Sequence, residues 1–277
     1  MAEPPRIVAV GDLHGDIDAT RTALRLAGAI DGQDRWVGGG LIVVQTGDQL
    51  DRGDHEQEIL DLFERLRLEA ASAGGAFHPL LGNHELMNAA GDLRYVTEGG
   101  FADFEDAVEY DPDDPLLAEF EPHERARMAA LLPGSPYSRL LAQRRVILLL
   151  DGNLFVHGGV LPEHVTYGVE RINREAQEWL RGEIERPEVL RGSESPQWTR
   201  LYSDAPDSVA CEVLGKVLEG LEADRIIVAH TVHRDGIASE CDGRAWLIDV
   251  GIAAYYGGPV EVLEIIGDSV RVLKAEP

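Results

Sequence analysis

Three short apolar runs, Arg6–Val10, Leu41–Gln45 and Phe77–Leu81, each stop at a polar turn that carries glycine, and helical patterns follow the first two. That alternation constrains the fold more than any other feature of the chain. Strand, turn and helix in succession build βαβ units, whose strands pair in parallel through a crossover. Ile17 to Ala29 has helical spacing at Ile17, Leu24 and Leu26, with Asp16 or Asp18 placed to cap it. A longer helix is predicted from about Asp54 to Ser72, with Ile59, Leu62, Phe63 and Leu66 on its apolar face.

The alternation breaks between residues 87 and 144. Ala102 to Glu124 holds ten Asp and Glu and no Lys or Arg, so this stretch is read as an inserted acidic, mostly helical cap within a single domain spanning 1–277. It either shapes access to a site or serves only as a solvated surface. Beyond it, Val146–Leu150 and Leu154–Val156 flank Asp151-Gly152-Asn153, a hairpin signal. Val169–Leu180 and Ser208–Leu221 read as helices, and Arg225–Ala229, Ala245–Asp249, Val260–Ile266 and Val270–Leu273 as strands. No repeat or linker divides the chain.

Composition excludes several functions. The net charge of −25, with Lys216 and Lys274 as the only lysines, disfavours binding to nucleic-acid backbones and anionic membranes. No apolar run is long enough for a membrane span. The N-terminus shows no leader, so a cytoplasmic protein is expected, monomeric by default. Cys211 and Cys241 are too few for a disulfide scaffold and read as buried small hydrophobes.

Five apolar runs end in groups able to bind metal or phosphate: Asp12 with His14, Asp48 with Asp51 and Arg52, Asn83 with His84, then His157, then His230. Ligands gather at the carboxyl ends of strands in open α/β sheets, so these groups converge if the strands lie side by side. Asp12 and His14 point the same way in extended chain, with Leu13 turned to the core. Hard oxygens with imidazoles and no thiolates suit manganese, iron or zinc. A carboxylate able to bridge two ions about 3.5 to 4 Å apart should come from a central turn, and Asp48 fits. Asn83, through its amide oxygen, His157 and His230 then fall to the second ion.

Gly11-Asp12-Leu13-His14-Gly15, Gly47-Asp48-Gln49-Leu50-Asp51-Arg52-Gly53, Gly82-Asn83-His84-Glu85 and His157-Gly158-Gly159 resemble, in order, the signature blocks of the phosphoprotein phosphatase superfamily of calcineurin-like metallophosphoesterases. Ala229-His230-Thr231 resembles the family's final histidine block. Ser195-Pro196-Gln197-Trp198-Thr199-Arg200 points to its Shewanella-like branch. The resemblance implies a four-layer α/β/β/α sandwich and two divalent metal ions, manganese first, held by Asp12, His14 and Asp48 on one side and Asp48, Asn83, His157 and His230 on the other. It implies hydrolysis of phosphoprotein side chains, on Tyr or Ser/Thr, by direct attack of a hydroxide bridging the two metals. In that scheme His84 is the general acid, Asp51 orients it, and Arg52 and Arg200 clamp the phosphoryl oxygens.

Leu81 stands where many family members carry arginine, and Arg191 competes with Arg200 for the second clamp. A dinucleoside polyphosphate hydrolase is the nearest alternative, and a catalytically silent phosphoprotein-binding module is another.

Overall fold

The computed structural model of the protein describes residues 4–275, so the reading of Met1, Ala2 and Glu3 as leaderless lies outside the described residues. The chain runs β1 (Arg6–Val10), α1 (Ile17–Leu26), β2 (Ile42–Gln45), α2 (Glu56–Ser72) and β3 (Ala76–Pro79). Next come α3 (Asn83–Ala89), α4 (Glu98–Asp103), α5 (Arg125–Leu131) and α6 (Pro136–Leu141), then the hairpin β4 (Ile147–Leu150) and β5 (Asn153–Val156). It finishes with α7 (Pro162–Tyr167), α8 (Val169–Leu180), α9 (Ser208–Leu221), β6 (Arg225–Val228), β7 (Ala238–Glu240), β8 (Ala245–Leu247), β9 (Glu261–Ile266) and β10 (Ser269–Lys274).

The strands form two mixed sheets of five, ordered β10-β9-β1-β2-β3 and β4-β5-β6-β8-β7. β1, β2 and β3 pair in parallel as the βαβ pattern requires, with Ile7 opposite Ile42 and Ile42 opposite Ala76. β5, β6 and β8 do the same in the second sheet. The antiparallel pairs are β9 with β1 and with β10 in the first sheet, and β4 with β5 and β7 with β8 in the second.

Alternation along β1 explains the layering. Ile7 and Ala9 face the second sheet and pack with Val44, Phe155, Ile227 and Leu263. Val8 and Val10 face outward onto Leu24, Ile59 and Phe63 of α1 and α2. The second sheet turns its other face to α3, α5, α6, α8 and α9 through Leu154, Ile226, Met128, Leu141, Trp179 and Leu214. Four layers, α/β/β/α, result, and both faces of the central strands are apolar because both are covered.

Local chemistry fixes the ends. Asp16 caps α1 by accepting the Ala19 amide at 2.9 Å. Asp151 and Gly152 adopt φ of 48° and 74°, the two left-handed residues of a tight hairpin turn.

One expectation is corrected. Cys211 and Cys241 are not separate buried hydrophobes, because they form a disulfide that ties α9 to the β7–β8 turn. Cys241 and Asp242, at φ of 53° and 58°, turn the chain back so that Cys241 meets the helix, a juxtaposition that spacing alone does not carry. After β3, Asn83 and His84 open α3, directly after Gly82.

Candidate functional site

The polar strand ends meet at one end of the two sheets. The turn after β1 is bonded to the turn after β2: Leu13 and His14 both donate backbone N–H groups to the Asp48 carbonyl at 3.0 Å, and Gly15 donates to Gln49 at 2.8 Å. Gly15 and Gly53 touch so closely that a Cβ on Gly53 would lie 2.2 Å from the His14 carbonyl oxygen. Only glycine lets these two turns share the space.

Glu85 organises the turn from the other side. Its buried carboxylate accepts the backbone N–H groups of Asp48 (2.8 Å), Gln49 (2.8 Å), Leu50 (3.2 Å) and Gly82 (2.7 Å). With four donors spoken for, the turn is held in a conformation it would not otherwise keep. Asp48, Asp51 and Arg52 have φ of 57°, 67° and 67°, and His14 and His230 have 46° and 66°. Five of the eleven left-handed non-glycine residues among the described residues therefore belong to this one site, and strain concentrated in this way is characteristic of functional positions. The left-handed His14 also corrects the extended-chain picture: the backbone bends to bring His14 Nε2 within 3.8 Å of Asp12 Oδ2.

Two ligand clusters result. In the first, His14 donates from Nδ1 to the Leu50 carbonyl at 3.1 Å, which leaves the Nε2 lone pair facing Asp12 and Asp48, 3.9 Å from Asp48 Oδ2. In the second, His157 donates from Nδ1 to the Thr46 carbonyl at 3.1 Å, so its Nε2 carries a lone pair. That nitrogen faces Asn83 Oδ1 at 2.8 Å, His230 Nδ1 at 3.1 Å and Asp48 Oδ2 at 3.2 Å. Lone pairs crowded to this spacing repel one another unless a cation lies among them, and ligand atoms about 2.1 Å from a tetrahedral metal stand roughly 3.4 Å apart. Asp48 belongs to both clusters.

Electrostatics agree. Burial holds His14 down to about 3 and His230 down to about 2, so both imidazoles are neutral and ready to ligate. Burial pushes Asp12 up, and the neighbouring carboxylates of Asp249 and Asp48 push it further. Burial also acts to raise Asp48, but His157 and His84 outweigh it and hold the carboxyl well below its usual range. Asp12 Oδ1, Asp249 Oδ2 and His230 Nε2 are buried without partners. An anionic, acceptor-rich pocket of this kind fits divalent cations.

Beside the clusters, His84 donates from Nδ1 to Asp51 Oδ2 at 2.5 Å, and its Nε2 lies 3.7 Å from Asp48 Oδ2. Burial pulls this imidazole down, yet Asp48 and Asp51 outweigh burial and raise it above its ordinary value. Arg52 has a buried, unpartnered Nε, and its guanidinium lies 4.5, 5.1 and 5.3 Å from the ring centres of Tyr95, Tyr255 and Tyr256. A cavity of about 640 Å³ opens over His14, Arg52 and Tyr255. Arg200 donates from Nη1 to the His230 carbonyl (2.7 Å) and Thr231 Oγ1 (2.9 Å), whereas Arg191 bonds the Arg186 carbonyl away from the site. The structure thus brings together all ten residues singled out by sequence, and leaves Arg191 aside.

Residues 5–234 match the calcineurin-like phosphoesterase family. The chain belongs to that family. Shewanella-like protein phosphatase 2 of Arabidopsis thaliana is 38% identical over 99% of this phosphoesterase and 79% of the relative's length, which places the chain in the Shewanella-like branch. Shewanella-like protein phosphatase 1 of Plasmodium berghei is 27% identical over 92% of the chain and 69% of that protein. Among solved structures, the cold-active protein-tyrosine phosphatase of a psychrophilic Shewanella species superposes with a TM-score of 0.77 at 23% identity, covering 99% and 83% of the two chains.

Sequence reasoning missed several participants. Glu85 stood inside a quoted block without a role, and its interval of three from Gly82 was the available signal. Asp249 closes the predicted strand Ala245–Asp249, and that position was its available signal; Asn88 and Arg127 carried no local signal, because each becomes informative only through a partner distant in sequence.

Proposed function

We propose that this phosphoesterase is a metal-dependent phosphomonoesterase acting on phosphoprotein side chains, with Asp12, His14 and Asp48 holding one cation and Asp48, Asn83, His157 and His230 the other. The observation that carries this reading is the His84–Asp51 pair standing beside two ligand clusters that share Asp48. Two divalent cations at this place would polarise phosphoryl oxygens and lower the pKa of bound water from about 15.7 toward about 7.

The protein's own groups do the rest. Asp51 accepts Nδ1–H and, with Asp48, favours the protonated imidazole, so that the second proton, on Nε2, can be delivered to the leaving oxygen as the P–O bond breaks and the Nδ1–H tautomer is left behind. Arg52, which lines the cavity and has a buried, unpartnered Nε, offers its fork to phosphoryl oxygens. Arg200, anchored at one nitrogen to His230, presents the remainder of its guanidinium as a second clamp. The tyrosine rings around Arg52 form aromatic walls for an aryl group, which favours phosphotyrosine. The protein-tyrosine phosphatase of similar fold points the same way.

Manganese is our choice of metal, a monomer our choice of assembly, and residues 87–144 our choice of a substrate-shaping cap. No helix among the described residues is long and apolar enough to cross a membrane. The Cys211–Cys241 disulfide weighs against the cytoplasmic location expected from sequence, since disulfides are rare there. The deciding assay compares manganese-loaded wild type with His84→Asn on p-nitrophenyl phosphate, phosphotyrosine and phosphoserine peptides, and diadenosine tetraphosphate. Wild type should turn over the first two, and His84→Asn should lose most on the peptides. Preference for the dinucleotide, or absence of any turnover, would overturn the proposal.

A further inference from the structure

Among the described residues, the largest fully buried side chain is an arginine, Arg127 on α5, with no solvent exposure at all. A buried guanidinium is tolerated only when its N–H groups are paired, and the pairing here is specific. Nε donates to Asn88 Oδ1 at 2.8 Å, Nη1 to the Gly100 carbonyl at 2.9 Å, and Nη2 to Glu56 Oε2 at 2.5 Å and Asp51 Oδ1 at 3.4 Å. The Phe104 ring lies 4.8 Å from the guanidinium carbon and closes one face.

These bonds reach the Asp51 backbone N–H and its Oδ1, directly or through one intermediary. Because Arg127 donates to Asn88 Oδ1, the amide of Asn88 is fixed with its Nδ2 toward Asp51 Oδ1, at 2.9 Å, and toward the His84 carbonyl, also at 2.9 Å. Glu56, held by Arg127 through Oε2, accepts the Asp51 backbone N–H on Oε1 at 3.0 Å. Asp51 Oδ1 is thereby occupied from two sides, and only Oδ2 remains for His84 Nδ1. Asp51 itself has the left-handed φ of 67°, a backbone that needs such outside support.

We infer that Arg127 is a positioning residue for phosphoester hydrolysis: acting through Asn88 and Glu56, it aims the Asp51 carboxylate and so sets the direction in which His84 presents its proton. The inference rests on the reading of His84 as general acid given above. It gives the 87–144 segment a role in the chemistry, because α5 supplies the group on which the Asp51–His84 orientation depends. A merely structural ion pair would predict something different: its loss would lower stability, or slow all substrates alike.

Leaving groups separate the two. When the P–O bond breaks, its electron pair goes to the leaving oxygen. A nitrophenolate bears that charge unaided, whereas a serine alkoxide needs the His84 proton. Arg127→Met combined with Glu56→Gln removes the ion pair without orphaning a carboxylate, and Arg127→Lys keeps the charge without the fork. The manganese-loaded double variant should lose about 10- to 100-fold in kcat on a phosphoserine peptide and under about threefold on p-nitrophenyl phosphate, within the range of general-acid contributions. Arg127→Lys should recover part of the peptide rate.

A second readout is independent of turnover. In the zinc-loaded protein, the downfield proton resonance of His84 Nδ1–H, identified by its absence in His84→Asn, should move upfield or broaden in the double variant. If the double variant fails to fold, Asn88→Ala must show the same selective loss. Equal losses on both substrates, or an unmoved resonance in a folded variant that binds its metals, would overturn the inference. A wild type without phosphatase activity, or a His84→Asn without leaving-group dependence, would instead overturn the reading beneath it.

Discussion

Gly82→Ala is a one-carbon change that should disable the site without replacing any ligand or catalytic side chain. Gly82 has φ of −91° and ψ of −173°, ordinary extended backbone that alanine adopts freely. At an open position such a substitution stabilises by about 0.4 to 1 kcal/mol through the unfolded chain. Here the new Cβ would lie 2.1 Å from Asp48 Oδ1, 2.4 Å from the Asp48 amide nitrogen and 3.0 Å from Asp48 Cγ. Ordinary contact begins near 3.4 Å, so the Asp48 carboxylate must retreat by more than about 1 Å in a packed setting where overpacking costs about 1 to 3 kcal/mol. The net loss should be about 1 to 2 kcal/mol, read as a lower urea midpoint for the metal-free protein. The larger effect falls on metals. Asp48 Oδ2 stands 3.2 Å from His157 Nε2, and displacing it should weaken metal binding at least about tenfold, the minimum seen when groups orienting a ligand are lost. Calorimetric titration with zinc measures this. Gly32→Ala is the control, since its Cβ would meet nothing within 4 Å. If Gly82→Ala bound zinc as tightly as wild type and unfolded at higher urea, the reasoning from close contact would be refuted.

Other outcomes follow from the same structure. Reduction of the Cys211–Cys241 bond, or Cys211→Ser with Cys241→Ser, frees a loop closed across 30 residues; the chain-entropy estimate is about 3 to 4 kcal/mol, read as a lower thermal midpoint. Alkylation without reductant should leave both cysteines unmodified. Phe104→Ala removes a fully buried ring packed on Arg127 and Tyr137 and should cost about 3 to 5 kcal/mol. Chelation should lower the thermal midpoint, and zinc at a hundred times its dissociation constant should restore about 2.7 kcal/mol.

The sequence made most of the architecture legible where the determinants were local. α8 and α9 begin and end where the apolar periodicity does, and Asp151-Gly152 alone dictated the β4–β5 turn. β7 was not legible, because Ala238-Ser239-Glu240 is a short, polar edge strand recruited by pairing with β8. The partition into two sheets is likewise non-local: β6 pairs in parallel with β8 across the excursion through β7. Within the site, ligand identities were readable because each sits at a strand end, all but His230 beside a glycine. The left-handed turn of His14 and the supporting groups were not. Glu85 acts through four backbone donors, and Arg127 acts from a segment whose pattern gave no periodicity to follow.

Asp48 is shared by the two ligand clusters proposed to hold the metals. Metal content of the purified protein after loading and desalting, measured for wild type and Asp48→Asn by elemental analysis, tests that directly. Two equivalents per chain in wild type, and loss of both in a folded Asp48→Asn together with its turnover of p-nitrophenyl phosphate, is the predicted result. One equivalent in wild type, or two retained by Asp48→Asn, would contradict it.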